Sequence, residues 1–555
     1  MALSYLTHLL RPLQVTRDKD TDVDGYVNRD TRPLPPSRRN FGPWNFVGLW
    51  VVTGSFNVGG WTAGSSLISL GLNVWQSMLV TILAQLFVGF VCVAGGHPGA
   101  KWHIEFPFWM RSVWGMWGGY FPLINRVFLS FVWTATNSWY GGQCIRVLLT
   151  AIWPSFQSIG GSLADGTMTT ADFVSFIIFL VLCTPMMWVG PERCRIPFLI
   201  SSITITPTIF ILMIWSMVKA GGSGALLSNT SAVSGVKQVK GSQLGWMMMN
   251  GITASIGSIA THMFSQSDYT RYARKPKDQY LAQLIMVPLG SILTALIGII
   301  CTSCAAQLYP ETKKLLWQPY AFLSAIQKYN DNASDARAGV AFAAVAFAVS
   351  QFGIVVASNA VVAGIDFAAF FPRYFNIRRG GYLTVLFVLV MQPWQLLNSA
   401  SIFLTVVGGY SVFLGPFMGV MFADYFLLRK RTLKLADLYE MSPKSIYWYA
   451  KGVNLRAVVA FIMGLWILLP GFAEHVRKPK VVWEGWTHMY WMAWFLGSGV
   501  SGAVYVVLDL IWPIQHKTAV DDADYFGTFN ESEILDAETQ GSNVEEAATI
   551  FGSKV

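Results

Sequence analysis

The sequence predicts an all-α polytopic membrane protein with twelve transmembrane helices, and three observations carry that prediction. Of 555 residues, 53% are apolar and 12% charged, about half the ~25% charge of ordinary soluble proteins. Mean hydropathy is +0.45. Apolar runs continue from near residue 45 to near residue 512, each close to the roughly 20 residues that cross a bilayer. Together they exclude a soluble enzyme, a disordered chain, a nucleic-acid binder and a single-pass anchor. The runs are continuous rather than alternating, which excludes a transmembrane barrel.

The twelve apolar spans, numbered in order, lie near 45–70, 77–98, 121–151, 170–190, 197–218, 244–265, 283–306, 339–364, 382–395, 400–427, 454–470 and 489–512. They divide the chain into an N-terminal tail (1–43), a ten-helix core (44–427), two peripheral helices (428–512) and a C-terminal tail (513–555). The C-terminal tail sets nine carboxylates against Lys517 and Lys554, so disorder is expected there. The net charge of +9 is spent on topology. Loops after even-numbered spans hold 18 Lys and Arg and loops after odd-numbered spans hold 10, which predicts both tails in the cytoplasm. The sequons at Asn229 and Asn332 fall in the odd loops. The expected partners are the lipid bilayer and, through tail lysines such as Lys517, ubiquitin-ligase machinery.

Nothing in the composition calls for catalysis or a cofactor. The six cysteines lie mostly in apolar runs, and Cys301-Thr-Ser-Cys304 has no second ligand pair, so neither metal nor redox chemistry is expected. Of the seven histidines only His262 lies deep in an apolar run, and no two share metal-ligand spacing on one helix. With no catalytic residues and no metal site, the sequence reads as a transporter. A transceptor that signals through its tails is the alternative of a different class.

Two apolar spans carry residues that a plain helix does not need. Span 1 reads Gly54-Ser-Phe-Asn57-Val-Gly59-Gly60-Trp61 and span 6 reads Asn250-Gly251-Ile-Thr-Ala-Ser-Ile-Gly257-Ser-Ile-Ala-Thr-His262. Interruptions at matching places in two sets of five helices point to a ligand site at a repeat interface. Close packing through small residues is the other reading. In span 3, Trp139 and Gln143 are i and i+4 on one face. An indole covers a flat ring and an amide reads its edge. Asn359 of span 8 supplies a second amide. His262 is the candidate proton carrier, because imidazole titrates near neutral pH. Asp268, Asp366 and Asp424, at helix ends, are expected to pair with arginines as an inner gate.

These residues resemble a fungal member of nucleobase-cation-symport family 1, in the uracil, uridine and allantoin permease branch. The motifs that carry the likeness are Asn28-Arg-Asp-Thr-Arg-Pro-Leu-Pro-Pro, Phe56-Asn-Val-Gly-Gly-Trp, Gly95-Gly-His-Pro-Gly-Ala-Lys101-Trp-His and Trp139-Tyr-Gly-Gly-Gln143. Further along come Ser267-Asp-Tyr-Thr-Arg-Tyr-Ala-Arg274, Phe371-Pro-Arg-Tyr-Phe-Asn-Ile-Arg-Arg379 and Gly409-Tyr-Ser-Val-Phe-Leu-Gly-Pro416. The resemblance implies a LeuT-like core of two inverted five-helix repeats plus two peripheral helices. It implies binding of a small heterocyclic substrate by Asn57, Trp139, Gln143 and Asn359, with Phe403 of span 10 as outer gate. It also implies import by alternating access, with thiamine or nicotinamide-riboside permeases as the sister alternative. Two positions depart from the family. Ile259 stands where bacterial relatives place a second Trp. Gly353 and Ile354 stand where sodium-coupled relatives place hydroxyls. The proton, not sodium, is therefore the expected coupling ion.

Overall fold

The computed structural model describes residues 14, 30–50, 56–188, 195–227, 236–312, 314–477 and 483–529. The Asn229 sequon, most of the N-terminal tail and the end of the C-terminal tail lie outside them. Helices occupy all twelve predicted spans, and the only strands among the described residues form a two-residue hairpin, Ser162–Leu163 with Met168–Thr169.

Seven described helices are long and apolar enough to cross a membrane unaided. They are spans 2 (Val74–Trp102), 4 (Thr170–Trp188), 5 (Ile200–Ala220), 7 (Pro276–Leu308), 8 (Ser334–Ile354), 10 (Ala400–Leu428) and 12 (Ala493–Ile511). Span 11 is a pair, Leu455–Trp466 and Leu469–Val476, bent by 48°. The other four are those with polar or short sequences. Span 1 is Pro43–Trp50 followed by Val58–Ser66, span 3 is Tyr120–Ile152, span 6 is Ser242–Phe264 and span 9 is Ile377–Phe387. Side-chain caps set several starts. Asn73 with Gln76 and Thr169 with Asp172 form capping boxes that open spans 2 and 4.

The packing obeys a five-helix exchange. The second half of span 1 packs on span 7, and span 6 packs on span 2. Adding five to the first pair, in cyclic order over ten spans, yields the second. Span 3 packs on span 8, a pair that maps onto itself. Spans 11 and 12 pack on span 10 at the outside. This is the predicted core of two five-helix repeats with two peripheral helices.

The first and last described segments meet at one end of the bundle. Leu34 N donates to His103 O at 3.1 Å, and Tyr439 Oη donates to Thr31 O at 3.1 Å. The tail expected to be disordered from 513 is packed through Phe529. Lys517 pairs with Asp509 at 2.6 Å, and Asp521 accepts from Ala436 N at 3.2 Å. Phe526 and Phe529 rest on Tyr439 and Trp102. Two aromatic anchors within an acidic stretch hold it down, and net charge alone does not reveal them.

Span 6 corrects a second expectation. It is one continuous α-helix from Ser242 to Phe264, and its break falls at Ser265 (φ −91°, ψ 6°). Its small residues serve packing. A Cβ on Gly257 would stand 2.0 Å from the Val407 carbonyl oxygen of span 10, and one on Gly251 would stand 3.0 Å from Val80 of span 2.

Candidate functional site

Span 1 is broken where the sequence places Asn57. Asn57 has extended backbone angles (φ −153°, ψ 170°). Its Oδ1 accepts from Gly60 N at 2.7 Å. The side chain thus caps the second half-helix and satisfies one of its orphan N–H groups. The carbonyl freed at Phe56 accepts from Ser350 Oγ of span 8 at 3.1 Å.

The break opens onto a central cavity lined from six spans. Span 1 contributes Asn57, Gly59, Gly60, Ala63 and Gly64, and span 2 contributes Thr81 and Gln85. Span 3 contributes Trp133 and Asn137, and span 6 contributes Ser255, Ser258, Ile259 and His262. Ser291 and Ala295 of span 7 and Ile354 of span 8 complete it. It offers about 70 Å³ to the centre of a water-sized sphere. On that measure one water needs roughly 10–15 Å³, so the space holds more than one water. No carboxylate, ammonium or guanidinium is among the described lining residues. The wall is amides, hydroxyls, an indole and one imidazole, a set built for a neutral polar ligand.

Buried contacts flank the cavity toward each end. On the side of the termini, Arg126 of span 3 is buried between two carboxylates. It pairs with Asp268 at 2.7 Å and donates from Nε to Asp366 Oδ2 at 2.9 Å. Its Nη2 also donates to Asp366. Asp268 accepts in turn from Phe106 N at 2.9 Å, and the Phe106 ring lies 4.2 Å under the guanidinium. Buried charges need this degree of pairing. Seven residues separate Arg126 from Trp133, two helix turns on one face, so the ion pairs sit directly beneath the cavity. Asp424 pairs separately with Arg429 at 2.7 Å. At the opposite end Phe403 is buried against Trp317, with ring centroids 5.5 Å apart. Ser65 Oγ ties Trp317 O to span 1 at 2.6 Å.

The predicted site residues separate into two groups. Asn57, His262 and Ile259 line the cavity. Trp139 and Gln143 do not. Trp139 packs between Phe176 of span 4 and Trp394, at 5.4 and 5.9 Å, and Gln143 is buried nearby with Nε2 unpartnered. The cavity face of span 3 is Trp133 and Asn137, which have the same i, i+4 spacing six residues earlier. Six residues turn an α-helix by about 240°, so the two pairs cannot share a face. A sequence signal separates them: Gly141 and Gly142 would each press a Cβ onto Phe179 and Phe176 at 2.1 and 2.6 Å, marking the span-4 side. Asn359 is buried in a π-helical turn, Val355–Ala360, with Nδ2 unpartnered. It and Phe403 lie outside the cavity lining. Gln85 and Arg126 were not singled out as site residues by sequence. Arg126 was recognisable as one of two cations, with Arg146, inside apolar span 3, where a buried charge needs a partner.

Comparison with known proteins agrees with this architecture. The family described as permease for cytosine/purines, uracil, thiamine and allantoin matches residues 33–497. The chain belongs to that family of permeases. It is 34% identical to the uridine permease of Saccharomyces cerevisiae over 497 residues, covering 88% of this chain and 75% of that one. It is 31% identical to the allantoin permease of the same yeast, covering 88% and 76%. The transporter aclS of Aspergillus oryzae is 30% identical over 98% of this chain and 95% of that one. Among solved structures, the fold matches Mhp1, a nucleobase-cation-symport-1 family transporter in a closed conformation with bromovinylhydantoin bound. The TM-score is 0.68 at 18% identity, over 92% of this chain and 98% of that one. The permease is a transporter, not an enzyme.

Proposed function

We propose that this permease is a plasma-membrane, proton-coupled importer of a neutral, single-ring, nucleobase-like heterocycle such as uracil or allantoin, with both termini in the cytoplasm. The observation that carries the reading is the cavity wall: small, without a fixed charge, and bearing an indole and an amide on one face of span 3. Trp133 stacks on the ring and Asn137 reads its polar edge. Asn57 holds the broken helix against it. Ile259 bounds the second face with an aliphatic surface.

The same wall argues against the sister-branch ligands. Thiamine and nicotinamide riboside carry a permanent positive charge and a second bulky group. A buried cation without a facing carboxylate is costly, and no carboxylate is among the described lining residues. Proton coupling is favoured over sodium because Gly353 and Ile354 supply no side-chain oxygen. The Phe56 carbonyl also already accepts from Ser350. His262, in the cavity wall, is the titratable group at hand.

The test is uptake of labelled uracil, allantoin, uridine and thiamine in cells stripped of their own permeases. Uptake of uracil or allantoin, stimulated by external acid and abolished by an uncoupler, is expected. Uptake of thiamine alone overturns the substrate class, and uptake that tracks external sodium and ignores uncouplers overturns the coupling ion.

A further inference from the structure

Spans 2, 6 and 7 meet below the cavity along a column of glutamines that recognition of a heterocycle does not use. At its top, Gln85 and His262 line the cavity, and Gln85 Oε1 and His262 Nε2 have no protein partner. One turn on, Gln266 Nε2 donates to the His262 carbonyl at 2.6 Å, and Gln266 Oε1 accepts from Gln283 Nε2 of span 7 at 2.6 Å. Gln283 Oε1 is unpartnered, as are both amide atoms of Gln279, one turn nearer the mouth of span 7. Gln266, Gln279 and Gln283 are all fully buried.

A glycine on span 2 makes the room. A Cβ on Gly96 would lie 2.2 Å from Gln279 Oε1 and 3.2 Å from Gln283 Nε2, so both amides converge on one point. Ser267 and Thr270 hold the adjoining segment there by donating to the Gly95 and Gly96 carbonyls at 3.0 and 2.7 Å. Buried amides are almost always hydrogen-bonded, and where protein supplies no partner, ordered water does. Five unpartnered polar atoms strung from the cavity wall to a loop therefore call for a file of waters. Helix packing alone is served by leucine at such positions. None of these glutamines bonds to the Arg126 ion pairs beneath the cavity.

We propose that Gln266, Gln283 and Gln279 hold a water file that carries the coupling proton between His262 and the cytoplasm, apart from the substrate's route. This rests on the proton-coupled reading above. The imidazole of His262 takes a proton at Nε2 and becomes imidazolium. It then returns that proton to the first water of the file. Each water accepts one proton and passes one on, so no net bond is made and the cytoplasm gains the proton. The groups that face His262 are Trp50 of span 1, with ring centroids 6.2 Å apart, Gln85 of span 2 and Ser258 of its own helix. None of them is charged.

The test uses full-length permease in proteoliposomes loaded with a pH-sensitive dye, with uracil, allantoin, uridine and thiamine added in turn. Wild type should acidify the lumen with its substrate. Gln283→Leu and Gln279→Leu should cut that acidification at least tenfold. Both should keep substrate exchange at zero gradient within about twofold, because neither residue lines the cavity. Should the leucine variants not purify as monodisperse protein, Gln283→Met, unbranched and of similar length, gives the same comparison. Variants that acidify as wild type does overturn the water file alone. Wild type that transports without moving protons overturns the coupling reading and the file with it.

Discussion

Spans 1 and 6 occupy matching places in the two repeats and share a vocabulary of Asn, Gly and Ser, yet one is broken and the other is not. In span 1 the glycines follow an asparagine whose side chain caps a new helix start at Gly60 N. In span 6 no such cap exists inside the helix; Gly257 faces the Val407 backbone of span 10 and Gly251 faces the side chains of Val80, Leu67 and Leu70. The same residue type releases backbone in one place and admits a neighbour in the other. The difference is whether a local acceptor pays for the freed N–H. It leaves the cavity asymmetric: span 1 offers backbone and span 6 offers side chains, Ser255, Ser258, Ile259 and His262.

Span 3 presents one face to this cavity and another to span 4, and substitutions there are the strongest way to break the comparison. Trp139→Ala should cost about 3–5 kcal/mol of stability, as for a buried aromatic. It lowers the melting temperature of purified protein while whatever folds keeps its KM. Trp133→Ala, at a buried ring that faces the cavity on one side, should lower melting less than Trp139→Ala and weaken the ligand about ten- to hundredfold, the worth of one stacked ring at ~1–3 kcal/mol. Reversed outcomes would return the binding face to Trp139 and Gln143.

Smaller effects test the two spans themselves. Gly257→Ala drives a Cβ into the Val407 carbonyl and should cost about 1–3 kcal/mol by overpacking, read as a lower melting temperature. Asn57→Ala removes the cap and should cost about 0.5–2 kcal/mol, while uptake falls further because the break itself loses its shape. Asn57→Ser, which keeps a neutral accepting oxygen, should recover part of the stability. Gly59→Ala is the mildest. Its Cβ meets only Asn57 Oδ1 at 3.0 Å and Asn137 Oδ1 at 4.0 Å, so melting should shift by less than about 0.5 kcal/mol and the change should show in KM. Equal losses from Gly59→Ala and Gly257→Ala would erase the distinction between the spans.

Much of the molecule was legible before folding. Apolar runs and loop charge sufficed for twelve spans, because a bilayer demands ~20 apolar residues whatever the fold. The break at Asn57 was legible because an amide beside a glycine pair is costly in hydrocarbon unless the backbone needs it. The carboxylates Asp268 and Asp366 were legible as gate residues, since charge at a buried helix end needs a partner. Helical phase across a long polar stretch was not. Trp133 with Asn137 and Trp139 with Gln143 satisfy one spacing rule, and only the packing of span 4 against Gly141 and Gly142 chooses between them.

By itself, then, the sequence determined the class of protein, the number and order of its spans and the place where span 1 unwinds. Those follow from local solvation, which every residue carries with it. The tertiary structure alone decided which face of span 3 meets the cavity, that span 6 stays whole, and that glutamines far apart in sequence line up beneath His262. Those depend on which neighbour fills the space beside each residue, a property of the packed bundle rather than of any one helix.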